Sequence, residues 1–263
     1  MKTNAHPALA GLGTNGWQKA DTLAYLTAAY LGGGTGLYID ANDLLIGDRV
    51  VTRLLPEAQT QPRIIPRSII CHTNAATGTA KTGTASIEGS YNWWNRVGNG
   101  GESHLQFTLG GQASPNEPAM VGQFMPFSRR ADCNADANAW TYGGWTFGAI
   151  SHETQDWGTS APQGSINVQP WTLAQFQLLA AVTAVECVTY QIHCTQPARW
   201  TDSGIGHHSL FPWLGTVGAG SWTNVRGKTC PGRARIAQMD ELRRQVTGIV
   251  ADFYMFAGGA CPA

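Results

Sequence analysis

Residues 63–71, Arg-Ile-Ile-Pro-Arg-Ser-Ile-Ile-Cys, are a short apolar run bounded by prolines. A run of that length and apolarity predicts a buried strand rather than a helix. It delivers His72 at its C-terminal end, ahead of the small, polar loop Ala75 to Thr84. Such a place can present an imidazole to a cleft. A chain that buries a strand this way must build a sheet around it and cover that sheet.

The covering elements can be read in turn. Thr22 to Leu31 predicts a short helix stopped by Gly32-Gly33-Gly34. Ser86 to Val97 predicts another, with Tyr91, Trp94 and Val97 on one face, and Ser103 to Leu109 a strand ending in the Gly110-Gly111 turn. Phe147 to Thr154 predicts a further strand. The clearest helix opens at Pro170-Trp171-Thr172: Thr172 and Gln175 make a capping box, and Leu173, Phe176, Leu179 and Val182 supply the apolar face. Pro197 lies past its end. Residues 201–232 are long, Gly- and Trp-rich, and of the kind that carries function. Ala234 to Val246 is a last helix, acidic at Asp240 and Glu241 and basic at Arg243 and Arg244. Strands and helices alternate loosely, so the expected fold is α/β, a central mixed sheet flanked by helices. Residues 1–43 read as an N-terminal extension of unknown role, 44–250 as the main domain and 251–263 as a tail.

Seventeen basic residues balance seventeen acidic ones, so nothing marks a nucleic-acid or anionic-membrane partner. Charged residues are 13%, with 32 glycines and 10 tryptophans, which fits a folded, loop-rich domain and not a disordered chain. No run of eighteen apolar residues predicts a membrane span. Residues 1–17 lack the apolar segment of a secretory signal, so synthesis in a cytoplasm is expected. Gly11-Leu-Gly13-Thr-Asn-Gly16 fits a dinucleotide fingerprint in letters, but no strand precedes it. The six cysteines form no CxxC pair. Cys187 and Cys194 would stand about 10 Å apart on a continuous helix, too far for a disulfide.

A catalytic zinc needs three protein donors and an open position. Of seven histidines, His6 lies in the extension and His193 reads as a partner for a helix C-terminus. His72 and the doublet His207-His208 after Gly204-Ile-Gly206 are better placed, because glycines there let the backbone approach something closely. In Lys228-Thr229-Cys230-Pro231-Gly232 the nearby lysine would lower the pKa of the thiol toward the metal-binding thiolate. Singly, each of these is an ordinary structural histidine or turn. Together they are specific.

The set resembles the type 2 N-acetylmuramoyl-L-alanine amidases, which share their fold with peptidoglycan recognition proteins. The resemblance covers roughly residues 45–247. It rests on Ile69-Ile70-Cys71-His72-Thr73, on Gly206-His207-His208-Ser209, on Lys228-Thr229-Cys230-Pro231-Gly232, on Ile150-Ser151-His152-Glu153-Thr154 and on Ser103-His104-Leu105-Gln106-Phe107. The segment from Leu54 to Arg63 looks like the entry of endolysins from phages of actinobacteria. The resemblance implies Zn2+ held by His72, His208 and Cys230, with His208 preferred over His207. It implies Glu153 as general base and Lys228 as oxyanion stabiliser. It implies substrate contacts from His104, Trp213 and Trp222. The substrate would be bacterial peptidoglycan, cut between N-acetylmuramic acid and L-alanine. A phage lysin of this kind would act as a monomer, without inserting in a membrane, after permeabilisation of the host membrane. The insert Leu210 to Arg226 between His208 and Cys230 departs from the simplest family pattern. Three other readings stay open. One is a non-catalytic peptidoglycan-binding module of the same fold. The others are a cysteine hydrolase using Cys71 or Cys133, and a closed structural zinc site.

Overall fold

The computed structural model describes residues 19–74, 82–96, 101–110, 117–157 and 167–257. It is a mixed α/β fold. The helices are α1 (Lys19–Tyr30), α2 (Gly83–Trp94), α3 (Leu173–Tyr190), α4 (Arg233–Ile236) and α5 (Met239–Phe256). The strands are β1 (Tyr38–Ile39), β2 (Leu45–Ile46), β3 (Val50–Thr52), β4 (Ile65–Thr73), β5 (Leu105–Phe107), β6 (Val121–Gln123), β7 (Trp140–Tyr142), β8 (Trp145–Thr154) and β9 (Gly204–His207). β1 and β2 form a small antiparallel pair, and the rest a mixed sheet in the order β3-β6-β5-β8-β4-β9, with β7 pairing the start of β8.

The predicted buried strand is the centre of that sheet. β4 lies parallel to β8 on one side and to β9 on the other. Pro66 has no N–H to donate, and the β4–β8 register slips between Pro66 and Ser68, where a proline is tolerated. Alternation then sends Ile69 and Cys71 to one face and Ile70 and His72 to the other. The first face packs with Ile150, Ile205, Leu105 and Phe107 against α1, α3 and α5, the main core. The second carries Ile70 and Ala149 under Trp222 and Ala137. Near β6, α2 closes it with Ile87 and Trp94 against Phe124 and Met125. Of the predicted α2 face, Trp94 is buried and Tyr91 packs at the edge, while Val97 lies outside the described residues.

α3 is the core helix. Thr172 caps it, its hydroxyl accepting from the Gln175 amide at 3.1 Å. The second half of the predicted box does not form. The Gln175 side chain instead donates to the carbonyls of Phe107 and Gln155, tying α3 to the strand ends. Leu173, expected on the apolar face, is 73% exposed, whereas Phe176, Leu179 and Val182 are buried with most of the helix. By length and composition α3 could pass for a membrane span. The sheet and α5 cover it instead, and it buries Glu186 and Gln175.

α3 stops at Tyr190. Gln191 turns left-handed (φ 56°, ψ 43°), and the Cys187 carbonyl accepts the amides of Gln191 and Ile192. The chain doubles back, so the Cys194 thiol hydrogen-bonds the Cys187 thiol. The expected 10 Å separation required a helix that continued. Both cysteines are free.

Residues from 19 onward are built into the domain. Leu23 and Leu26 of α1 enter the main core, and the Lys19 ammonium donates to Val188 O at 2.8 Å. The boundary expected at 250 falls inside α5, whose Phe253 and Tyr254 are core residues. The Gly11–Gly16 string lies outside the described residues.

The cap gives a test of this helix. Thr172→Ala should destabilise the fold by about 1 kcal/mol, read as a lower urea midpoint at unchanged slope.

Candidate metal centre

The register of three parallel strands decides which side chains meet. His72 lies opposite Glu153 across β4–β8, so both project from the same face. His207 lies opposite Cys71 and shares the other face, where Arg243 approaches it. His208 follows at the strand end, its amide bonded to Cys71 O at 3.1 Å, and so turns to the His72 side. Alternation thus resolves the doublet. The rings of His72 and His208 stand with centroids 4.1 Å apart.

Cys230 returns to this point after the insert. Its sulfur accepts the Thr73 amide at 3.2 Å, and its carbonyl accepts the Ser209 amide and hydroxyl at 3.2 and 2.9 Å. One donor atom each from His72, His208 and Cys230 lies within 4.8 Å of the others, and all three residues are buried.

The donor chemistry fits a metal. The His72 Nε2–H donates to Asn134 Oδ1 at 2.7 Å, and a ring N–H of His208 donates to the Trp222 carbonyl. Each ring therefore keeps its other nitrogen for the centre. Among the described residues, His208 Nδ1 and Glu153 Oε2 are buried with no hydrogen-bond partner. Buried polar atoms are rarely left so, and a bound cation and its water would satisfy both. Burial holds His72 neutral, down to about 3, and pushes His208 the same way. Neutral imidazole is the binding form.

The thiol departs from expectation. Burial pushes Cys230 up to about 12, with Glu153 adding to the rise, and the nearby Lys228 only partly offsets it. The sulfur becomes a thiolate on binding a cation, not beforehand.

Glu153 is buried beside His72, its Oε1 3.8 Å from Nδ1 and 3.4 Å from the donating Ser103 hydroxyl. Desolvation raises its pKa to about 7, against the opposing pull of Lys228 and Ser103. A carboxyl near neutrality can both take and return a proton. Lys228 is exposed at the rim, and its charge acts on His72, His208, Glu153 and Cys230.

Two expected substrate residues are elsewhere. His104 is fully buried, with Nε2 donating to Arg129 O at 2.7 Å and Nδ1 accepting the Ser151 amide at 3.2 Å, so no ring nitrogen is left for a ligand. Trp222 is fully buried, edge-on to Phe211, its Nε1–H on Trp200 O. It is what Gly206 approaches: a Cβ there would come within 2.5 Å of its ring, whereas Gly204 lies against Thr195 O and Pro197. Trp213 is half-buried in the insert and is the one of the two that solvent reaches. The cysteine-hydrolase reading also loses its support. Cys71 projects to the opposite face, and the Cys133 sulfur, 3.9 Å from His72 Nε2, meets a nitrogen whose proton is given to Asn134 and which cannot take the thiol's, while burial pushes that thiol up.

Sequence reasoning missed a buried support. The Arg235 guanidinium donates to Thr73 Oγ1 (2.8 Å), to Thr154 O and Oγ1 (3.0 and 2.8 Å), to Gln155 O (2.9 Å) and to Gln169 O (3.1 Å). Thr73 donates to Asp156, and Thr154 to His72 O. Burial lowers Arg235 to about 10, still cationic at neutral pH, and its charge acts on Cys230 and Glu153. Arg233 and Arg235 look alike in sequence, and only the fold separates the exposed one from the buried one.

No family model matches this sequence, and no curated protein does. Solved structures do resemble the fold. An N-acetylmuramoyl-L-alanine amidase and a Bacillus subtilis endolysin are among them. The N-acetylmuramoyl-L-alanine amidase LysCS from Clostridium intestinale is 14% identical, with 76% of this chain and 96% of that one covered and a TM-score of 0.44. The catalytic domain of XlyA is 14% identical, with 75% and 98% covered and a TM-score of 0.47. The Staphylococcus aureus hydrolase AmiA, in complex with its ligand, is 10% identical, with 81% and 87% covered and a TM-score of 0.43. At such scores and identities the likeness carries no argument about function, and the donor set has to carry it.

One measurement checks the centre, and a second checks the buried histidine of the core. Cys230→Ser or His208→Ala should abolish retention of a stoichiometric zinc ion through dialysis, measured by elemental analysis. Burial holds the folded pKa of His104 near 4, below the ordinary 6.5, so the unfolded chain binds more protons between those values. Stability from this site is complete above about pH 6.5 and declines as pH falls toward about 4. His104→Asn should lower the urea midpoint of the metal-free protein at neutral pH and flatten its acid decline.

Proposed function

We propose that this chain is a zinc-dependent N-acetylmuramoyl-L-alanine amidase that cleaves the bond between N-acetylmuramic acid and the L-alanine of the stem peptide, working as a phage endolysin. The observation that carries the proposal is the convergence of His72, His208 and Cys230 beside a buried, partnerless carboxyl oxygen of Glu153. Three donors are one short of a closed structural site and suit a catalytic one. A purely structural centre has no use for an uncommitted carboxyl beside it.

Zn2+, when bound, would supply Lewis-acid polarisation of the scissile carbonyl and of water. The chain's own groups do the rest. Glu153 takes a proton from the attacking water and returns it to the departing L-alanine nitrogen, a double duty that a carboxyl poised near 7 performs with little cost in either direction. Ser103 donates to Oε1 of that carboxyl, and Oε2 is left without a hydrogen-bond partner. Lys228, exposed and close enough for its charge to act on His72, His208, Cys230 and Glu153, would meet negative charge developing on the carbonyl oxygen. Trp213 on the insert offers an aromatic face to a sugar or stem peptide entering from solvent.

Digestion of purified cell walls with product analysis by mass spectrometry tests the reading. The expected products are stem peptides with a free L-alanine amino terminus, lost after chelation and restored by zinc. Glu153→Gln should lower the rate by about 10²–10⁴-fold while leaving zinc content unchanged. A zinc-loaded protein that sediments with walls but frees no such peptides would be the binding module instead.

A further inference from the structure

The segment Asn134–Asn138 belongs to no motif, yet it touches the metal centre from below. Asn134 is fully buried, and its Oδ1 receives the Nε2–H of His72 at 2.7 Å. An imidazole has two nitrogens, and the one that donates a proton cannot donate a lone pair. The amide oxygen therefore selects which nitrogen of His72 faces His208 and Cys230. It also fixes the plane of the ring, since an acceptor on one edge leaves little rotation about χ2.

The backbone of Asn134 is in turn held in place. Its amide donates to Asn138 Oδ1 at 2.6 Å, and its carbonyl accepts the Ala137 amide at 3.0 Å. Asp136 accepts the amides of Gly218, Gly220 and Ser221 at 2.9, 3.0 and 3.1 Å, fastening the turn to the insert that follows His208. Ala137 packs with Ile70, Ala149 and Trp222, and the Trp222 carbonyl holds the His208 ring. Ala135 sits at φ 48°, a left-handed conformation that an alanine keeps only where the surroundings impose it. So one short turn contacts the support of both imidazoles.

The geometry points to Asn134 as a positioning residue for the metal centre, setting the tautomer and orientation of His72 through a hydrogen bond that the turn 134–138 holds in place. This rests on the metal-centre reading above and extends it to a residue that touches neither metal nor substrate.

The test compares zinc affinities by chelator competition. Asn134→Ala should weaken zinc by about 10–100-fold. Asn134→Asp, which keeps an acceptor at the same place, should stay near wild type. A variant that merely disturbs packing would not be rescued this way. Long-range proton–nitrogen spectra of the metal-free wild type give a second readout that needs no variant: His72 should carry its proton on Nε2. The assignment to Asn134 is overturned if Asn134→Ala binds zinc as tightly as wild type, if Asn134→Asp is as weak as Asn134→Ala, or if His72 carries its proton on Nδ1. A wild type that binds no zinc at all would overturn the metal centre itself, a result that the first comparison keeps distinct.

Discussion

The parallel pairing of β8, β4 and β9 is the constraint from which the rest follows. In parallel strands, neighbours in register point the same way, so a choice of face made once at His72 is imposed on Glu153 and withheld from His207. A slip of one residue in any one of these strands would turn its inner neighbour, Cys71, His152 or His207, toward the centre and its donor or carboxyl away from it. The slip is prevented by the core. Ile69, Cys71, Ile150 and Ile205 share the opposite face with α3 and α5, and turning them to the other side would expose a continuous apolar surface.

The centre is also electrostatically dear, and the fold answers that in a particular way. Two imidazoles, a thiol and a carboxyl lie together out of water with no ion pair among them except the long His72–Glu153 contact. Each is therefore driven toward its neutral form. Arg235 supplies the compensating positive charge from beneath, with every donor nitrogen occupied by a threonine or a carbonyl. The same guanidinium braces the ends of β4 and β8, so charge balance and strand placement depend on one side chain.

The sheet, the core helix and the donor set could be read from the chain because each rests on local chemistry: an apolar run, a capping threonine, a histidine or cysteine that metal chemistry singles out. What escaped depends on contacts between distant segments. Asn134 lies 62 residues from His72, and Arg235 lies 162 from Thr73, with no neighbouring letters to announce either bond. Trp222 and His104 misled for the complementary reason. Their residue types suit a binding groove, but whether an aromatic faces solvent or a core is decided by what packs on it, here Gly206 and Phe127. Leu173 failed similarly. Its periodicity was right, but it lies at the first residue of α3, before the helix reaches cover.

The insert between His208 and Cys230 leaves and re-enters the structure at one point, where Ser209 grips the Cys230 carbonyl with both its amide and its hydroxyl. That pinch makes the excursion a closed handle. Doubling the length of a flexible handle costs only about 0.6 kcal/mol in closure entropy, provided the added chain lies outside Gly218–Trp222, which brace the two imidazoles. Chain could thus be added or remodelled along its outer part, where Leu214 and Val217 already stand in solvent, while the chemistry underneath stays fixed. The fold separates a stretch free to change from the donors beneath it, which are not.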